Sequence, residues 1–485
     1  MNNFDVIIIG SGIGGLISAG ILTSRGLRTL LIEKQQTPGG YLASFKRNGF
    51  TFDAALDCIS GVAPGGLIFK VLKLLNSEKD VNFVQVNPIR VSIFPDFEII
   101  VDYDVDRYME RLMVLFPSES RAIKNLFEFF TNVYNETQSL VNIAESSKFE
   151  ISKMISLILK LRVTSYMELL NEFIANDKLK SILSDRCPFI GLPPSKVSAL
   201  SMINMIMSYF NLGAYRSLGG FQKLADAFIN GVKRKGGKVI FGNGARKILL
   251  NKNNNRCCGI QCDNGDEYTS AFVISNADFI YTFNNLLEGR YNVIAENMIK
   301  NIGASTSFFM VYAGVKGNIE NNSSIGLFPS YNMEDICIPD RTFKEDYMIG
   351  ITIPSIEDKA RAPYGCHTVV LHKMMDMFDG KLDKVKCAEM IIKKAEYVIA
   401  GLKDKITILD SASPQTLRKY SGNFNGSAFG WRQIPGFKGV KGYGINNFYI
   451  AGHWGDMGGG VLAAAYSGAK AAAAILTKEG ITVDF

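Results

Sequence analysis

The stretch FDVIIIGSGIGGLISAGILTSRGLRTLLIEK, residues 4–34, decides the fold. Its opening apolar run, Phe4 to Ile9, has the character of a strand buried on both faces. The run stops at Gly10-x-Gly12-x-x-Gly15, where a helix opens, and a second strand follows from Leu27 to Glu33. Glycines at this spacing between strand and helix, with an acid about 20 residues on, form a dinucleotide-binding fingerprint. Gly10 permits the tight turn, Gly12 lets the backbone approach a pyrophosphate, and Gly15 lets the helix pack closely on the strand. The pyrophosphate then rests on the positive end of the helix. Glu33 is placed to accept hydrogen bonds from a ribose hydroxyl pair.

Outward from this unit, Lys34 leads to Pro38-Gly39-Gly40, a second glycine turn positioned to meet the same dinucleotide. The far end of the chain repeats the physics. A strand at Phe448–Ala451 runs into Gly452, then Gly458-Gly459-Gly460, then a helix of small residues. Such a helix can aim its N–H groups at an anionic flavin edge. A nicotinamide enzyme has no need of this second anion site, so the expected cofactor is FAD. With one fingerprint in the chain, a built-in NAD(P)H domain is not expected. Electrons would leave to an external acceptor, oxygen or a quinone, or to a separate protein.

A chain of 485 residues allows two or three domains, and 47% hydrophobic against 20% charged residues is an ordinary globular balance. The formal charge of +7 is spread thinly with no Lys/Arg run, which argues against nucleic acid and leaves a weak attraction to anionic membranes. The eight cysteines show no paired spacing, so no metal site is expected and reduced thiols in the cytoplasm are the plain reading. Residues 6–22 are apolar, but five glycines interrupt them, and the fingerprint explains those better than a signal peptide does. No apolar run reaches the roughly 20 residues needed to span a bilayer.

Along the chain, residues 92–103 read as a hairpin around Pro95-Asp96. From Val105 to about Phe210 the pattern is helical, broken at Phe116-Pro117 and again at residues 191–194. Residues 238–241, 246–250 and 258–262 read as three strands of a small meander. Further strands are expected at 305–315 and 366–372, and a helix at 383–400.

Taken together, the chain resembles the phytoene desaturase, carotenoid isomerase and retinol saturase family of flavoproteins over nearly its whole length. The resemblance rests on GSGIGG (10–15), IEK…PGG (32–40), GFTFD (49–53), LGG…LADAF (218–228), GGKVIF (236–241) and VISNAD (273–278). It is strengthened by IPSIEDKARAPYGCH (353–367) and by AGHWGDMGGGVLAAAYSG (451–468). It implies an α/β fold: a Rossmann-type FAD-binding domain assembled from separated segments, 1–90 with 215–290 and 445–485. A mixed sheet-plus-helix substrate domain would take 91–214 with 291–444. Gly10, Gly12, Gly14 and Gly15 would line the pyrophosphate, Glu33 would hold the adenosine ribose, and Lys34 would be a further cofactor-binding residue. Gly39 and Gly40 would approach the pyrophosphate and ribityl side, and Ala245, where the family usually has valine, the adenine. Gly452, His453, Gly460 and Val461 would meet the pyrophosphate, ribityl chain and flavin pyrimidine edge. Met457 stands where relatives often have proline.

The resemblance implies an FAD-dependent oxidoreductase drawing hydride from a C–H bond of an apolar polyene or isoprenoid. Two alternatives stay open: a redox-neutral isomerase or saturase using reduced FAD, and an amine-type oxidase on a small or carrier-bound substrate. Asp53 and Asp57 could accept a proton as hydride leaves, or simply bond to turn amides. Asp57 and Tyr215 are the candidate catalytic residues. His453 is expected to position the turn through its backbone, and His367 and His372 to be structural. The segment Ile151–Leu161, apolar with two lysines, could contact a membrane peripherally or form a core helix with snorkelling lysines.

Overall fold

In the computed structural model of the chain, residues 3–483 are described except 142–147, 254, 288, 290, 340–346, 379, 438 and 440–442, and the side chains of 140–155 are not described. Asn3–Ile9 forms the centre of a seven-stranded sheet. It pairs in parallel with Thr29–Ile32 on one side and with Glu267–Ser275 on the other. Its core residues Val6, Ile7 and Ile8 are wholly buried, as a strand covered on both faces requires. Lys238–Ile240 extends the sheet in parallel beyond Thr29–Ile32, and Phe448–Ile450 pairs in parallel with Glu267–Ser275. The strand at 238–240 therefore belongs to the parallel sheet and not to the meander expected from sequence. The meander is instead Ala245–Leu250, Cys257–Cys262 and Glu267–Ser275, joined antiparallel. Short β-branched runs fit either setting, and local pattern alone does not choose the partner.

Three helices cover one face of this sheet. Ile13–Ser24 lies against the C-terminal helix Val461–Lys478, with Gln222–Arg234 beside it. Small residues make the first contact close: Ala464, Ala465, Ala469 and Ala472 are buried in it. Ser18 Oγ lies 2.9 Å from the carbonyl oxygens of both Gly14 and Gly468, so one hydroxyl bridges the two helices.

A second seven-stranded sheet runs in the order Ile406–Ala412, Ser307–Lys316, Cys366–Met375, Ile349–Thr352, Ser324–Leu327, Arg90–Ile93, Glu98–Val101. The last two strands are the expected hairpin around Pro95-Asp96. The helices between Val105 and Leu212 pack as a separate apolar cluster beside this sheet. Within them the helix Lys148–Val163 carries a buried Leu161, while Leu159 and Val163 are exposed and Lys160 pairs with Glu172. Lys153 and the apolar residues before 156 lie outside the described side chains. No described helix is long and apolar enough to cross a membrane.

Two buried ion-pair groups, centred on Arg361 and on Arg216, join the elements around the space between the sheets. Arg361, fully buried, bonds Asp53 at 2.5 Å, Asp358 at 3.2 Å and the carbonyl of Ser217 at 2.8 Å. The other carboxylate oxygen of Asp53 accepts from Ser44 Oγ and from the Phe221 amide. Asp53 is thus a joint between three segments, with both carboxylate oxygens engaged. Replacing Arg361 by Met strands two buried carboxylates, a loss of about 3–5 kcal/mol by analogy with other buried pairs. Arg361→Met is expected to lower the urea unfolding midpoint markedly; a midpoint equal to that of the unaltered chain would contradict this role.

Candidate functional site

The sheet edges on which Ile9, Ile32, Ser275 and Ile450 end are carboxyl ends of parallel strands, the usual place for a ligand crevice. A cavity of about 1310 Å³ opens there and continues to the second sheet. Its wall at this end carries Gly10, Gly12, Gly14, Glu33, Lys34, Gly39, Gly40, Ala245, Gly452, His453, Gly460 and Val461. Residues separated by more than 400 positions in the chain therefore share one surface. Gly15 is not on the wall; a Cβ there would lie 2.1 Å from the Gly10 carbonyl oxygen, so its task is the packing of helix on turn.

Two helices start on this wall with no side-chain cap: Ile13–Ser24 after Gly12, and Val461–Lys478 after Gly460. An uncapped helix start leaves its first-turn N–H groups without protein acceptors, ready for an anionic or carbonyl ligand. The two starts are locked together. A Cβ on Gly14 would come within 2.5 Å of the Gly452 nitrogen and 2.6 Å of Asn276 Oδ1, so no larger residue fits.

Glu33 is oriented by three bonds: from the Ser11 amide at 2.8 Å, the Ser11 hydroxyl at 2.6 Å and the Gln35 amide at 2.8 Å. Ser11 in turn accepts from the Gly39 amide, which ties the second glycine turn to the first. At the other helix start, His453 Nε2 lies 3.1 Å from Asn423 Oδ1, and Trp454 Nε1 donates to the same oxygen at 2.9 Å. Burial brings His453 down to about 4, so its ring is neutral at ordinary pH. Asp278, also on the wall, caps the turn at Tyr281 and accepts from the Phe424 amide; burial pushes it up to about 6 against those bonds.

Beyond this end the lining turns apolar. Phe308, Met310, Tyr312 and Val370 face the cavity from the second sheet, with Ile190, Leu200 and Met205 from the helical side. Asp57 reaches the wall here, but its carboxylate is engaged by Arg216 at 2.5 Å and by Ser324 Oγ at 2.5 Å. Burial raises its proton affinity, yet the Arg216 charge and these bonds outweigh it and hold the acid below its ordinary range. Arg216 also holds Glu357, and Ser323 bonds both. Tyr215 lies off the cavity: its backbone pairs with Ile59 and Gln85, and its ring packs with the Rossmann-side core. Arg186 and Phe189 line the wall without having carried any signal in the sequence, and His372, expected to be structural, lines it too. His372 is brought to about 4, first by burial. His367 bonds Ser355 at 3.0 Å and is buried. All eight cysteines are free, and among the described residues no cluster could hold a metal.

Residues 8–75 match the model of an NAD(P)-binding Rossmann-like domain. Prolycopene isomerase 1, chloroplastic, from an Oncidium hybrid cultivar is 26% identical across 99% of this chain and 84% of its own length. The phytoene desaturase (neurosporene-forming) of Rhodobacter capsulatus is 25% identical across 85% of this chain and 81% of its own. An oxidoreductase of Methanosarcina mazei shares the fold, with a TM-score of 0.64 over 96% of this chain and 99% of that one at 18% identity. Over most of its length the chain is similar at once to carotenoid isomerases, carotenoid desaturases and retinol reductases, at 23–26% identity.

Proposed function

We propose that this chain is an FAD-dependent oxidoreductase of the desaturase type acting on an apolar polyene or isoprenoid. The observation that carries the reading is the pair of uncapped helix starts on one cavity whose other end is apolar. In this reading segments 1–90, 215–290 and 445–485 hold FAD, and 91–214 with 291–444 hold the substrate. Glu33, with Lys34 beside it, takes the adenosine ribose, and Ala245 meets the adenine through its backbone. Gly10, Gly12, Gly14, Gly39 and Gly40 leave room for the pyrophosphate, with Gly15 seating the helix behind them. Gly452, His453, Gly460 and Val461 meet the ribityl chain and pyrimidine edge. When bound, FAD supplies a hydride acceptor for an allylic C–H bond.

The chain's own residues do the rest. The apolar wall excludes water and aligns an extended hydrocarbon, which concentrates the reacting carbon at one place. His372 and His453 are neutral and enclosed, so neither brings a charge to the site. Asp57, kept ionised by Arg216, is a weak base; as a fixed negative charge it can face the cation left on the hydrocarbon when hydride departs. The external acceptor in this reading is oxygen or a quinone. A second reading, in which reduced FAD drives isomerisation or saturation, is favoured by the near full-length similarity to prolycopene isomerases.

Mixing the oxidised, FAD-loaded enzyme with phytoene in detergent without oxygen is expected to bleach the flavin band and yield a more conjugated product. If product forms only from prolycopene and only after pre-reduction, the second reading replaces the first. Gly14→Val is expected to abolish FAD retention on gel filtration while leaving circular dichroism intact, and Glu33→Ala to weaken FAD binding tenfold or more, about the worth of a charged hydrogen bond. Unchanged FAD content in both would remove these residues from the cofactor site. Because His372 and His453 fall from an ordinary 6.5 to about 4, they contribute stability that is present above 6.5 and lost as pH falls through about 4. His453→Gln should therefore flatten the decline of melting temperature between pH 6.5 and 4; an unaltered slope would count against its burial as a neutral ring.

A further inference from the structure

The apolar end of the cavity holds a buried cation that a pure hydrocarbon leaves unsatisfied. Arg186 sits on the turn after the helix Asp177–Leu183, and its backbone is fixed there by the Phe189 amide bonding its carbonyl. Its side chain is 7% exposed and lines the cavity. The guanidinium lies over the rings of Phe189 and Tyr209, 5.4 Å from each centroid. Among the described residues it has no hydrogen-bond acceptor and no carboxylate within ion-pair distance.

Its neighbours do not meet that demand. Asp185, next in the chain, turns its carboxylate to Ser92 Oγ at 2.5 Å and towards Arg90 at 4.0 Å. Arg90 is itself fully buried, stacked 4.3 Å from the Phe189 centroid, and none of its three guanidinium nitrogens has a hydrogen-bond partner. Burial, and then the nearby Arg186 charge, bring Arg90 down to about 10. Asp57 and Glu357, the other acids of this region, are both taken by Arg216. A guanidinium offers five N–H donors in a planar fork that matches a carboxylate with two parallel bonds. Buried without an acceptor it is costly, and a ligand that supplies one recovers that loss.

We propose that the substrate is an apolar polyene or long hydrocarbon chain ending in a carboxylate, and that Arg186 holds the carboxylate. The proposal rests on the apolar cavity being the substrate site, as under the proposed function. Arg186 is then a specificity residue that fixes how far the chain enters, and so which carbon meets the reacting position. Phe189 and Tyr209 cover the guanidinium and shield it from water, which strengthens its bond to a carboxylate.

The test uses the FAD-loaded enzyme and two fluorescent probes, cis-parinarate and its methyl ester, which differ only in the charge at one end. Parinarate is expected to bind at least tenfold more tightly than the ester. Arg186→Met should remove that preference by weakening parinarate alone, and Arg186→Lys should keep part of it. FAD content and melting temperature of each variant confirm folding; if Arg186→Met does not fold, the acid-to-ester ratio in the unaltered enzyme and in Arg186→Lys decides. Equal binding of acid and ester overturns the carboxylate assignment and leaves the apolar substrate site standing. Equal weakening of both probes by Arg186→Met marks a structural arginine and also overturns it. Failure of both probes to bind overturns the apolar site and this proposal together.

Discussion

The contact on which the site depends is the seating of the first helix start against the last. Gly14 and Gly452 approach so closely that a single methyl group at Gly14 would displace the backbone of the other segment. Ser18 fixes the same approach one turn further in, reaching the carbonyls of Gly14 and Gly468. Because each helix start carries unsatisfied N–H groups, bringing two of them to one surface makes a site with two separate anchors for an extended anionic ligand. The run of alanines in Val461–Lys478 is the sequence counterpart of that geometry, since larger side chains would hold the helices apart.

The second sheet answers a different problem, how to bury charge at the inner end of the cavity. Ser92, Gly326, Gly350 and His372 stand side by side across four strands. The two glycines in the middle of this row leave a notch. A Cβ on Gly326 would fall within 1.7 Å of the Arg90 guanidinium, and one on Gly350 within 2.1 Å of the His372 ring. The strands thus give up packing so that a guanidinium and an imidazole can lie flat on the sheet. That arrangement seats the Arg90 charge and the neutral His372 ring against the sheet.

The parts of the site legible in sequence were those set by backbone. A turn that needs glycine, a strand that needs apolar residues on both faces and an acid at a fixed distance all leave local traces, and Gly10, Gly12, Glu33 and Gly460 carry them. The strand at 238–240 was legible as a strand but not in its pairing, because its partner at 29–32 lies more than 200 residues away. Side-chain roles were less legible for the same reason. Asp53 and Asp57 look equivalent in sequence, four residues apart beside one strand. Only the positions of Arg361 and Arg216, far along the chain, show that Asp53 is a structural joint and Asp57 a paired carboxylate on the cavity wall. Arg186 carries no motif, and it becomes informative only once its lack of a partner can be seen.

These pairings bear on where the chemistry resides. An acid intended as a proton acceptor near neutral pH has its proton affinity raised by burial and left uncompensated. Asp57 has the burial, but Arg216 and Ser324 more than cancel it. The two histidines on the wall are driven the other way, to neutrality. A wall built like this does little acid–base work of its own, and its contribution is to hold an oriented, dry and electrically fixed surface around a reactive cofactor. In such a site the identity of the substrate is set by shape and by the few polar groups left unpaired, and Arg186 is a charged one whose demand faces the cavity.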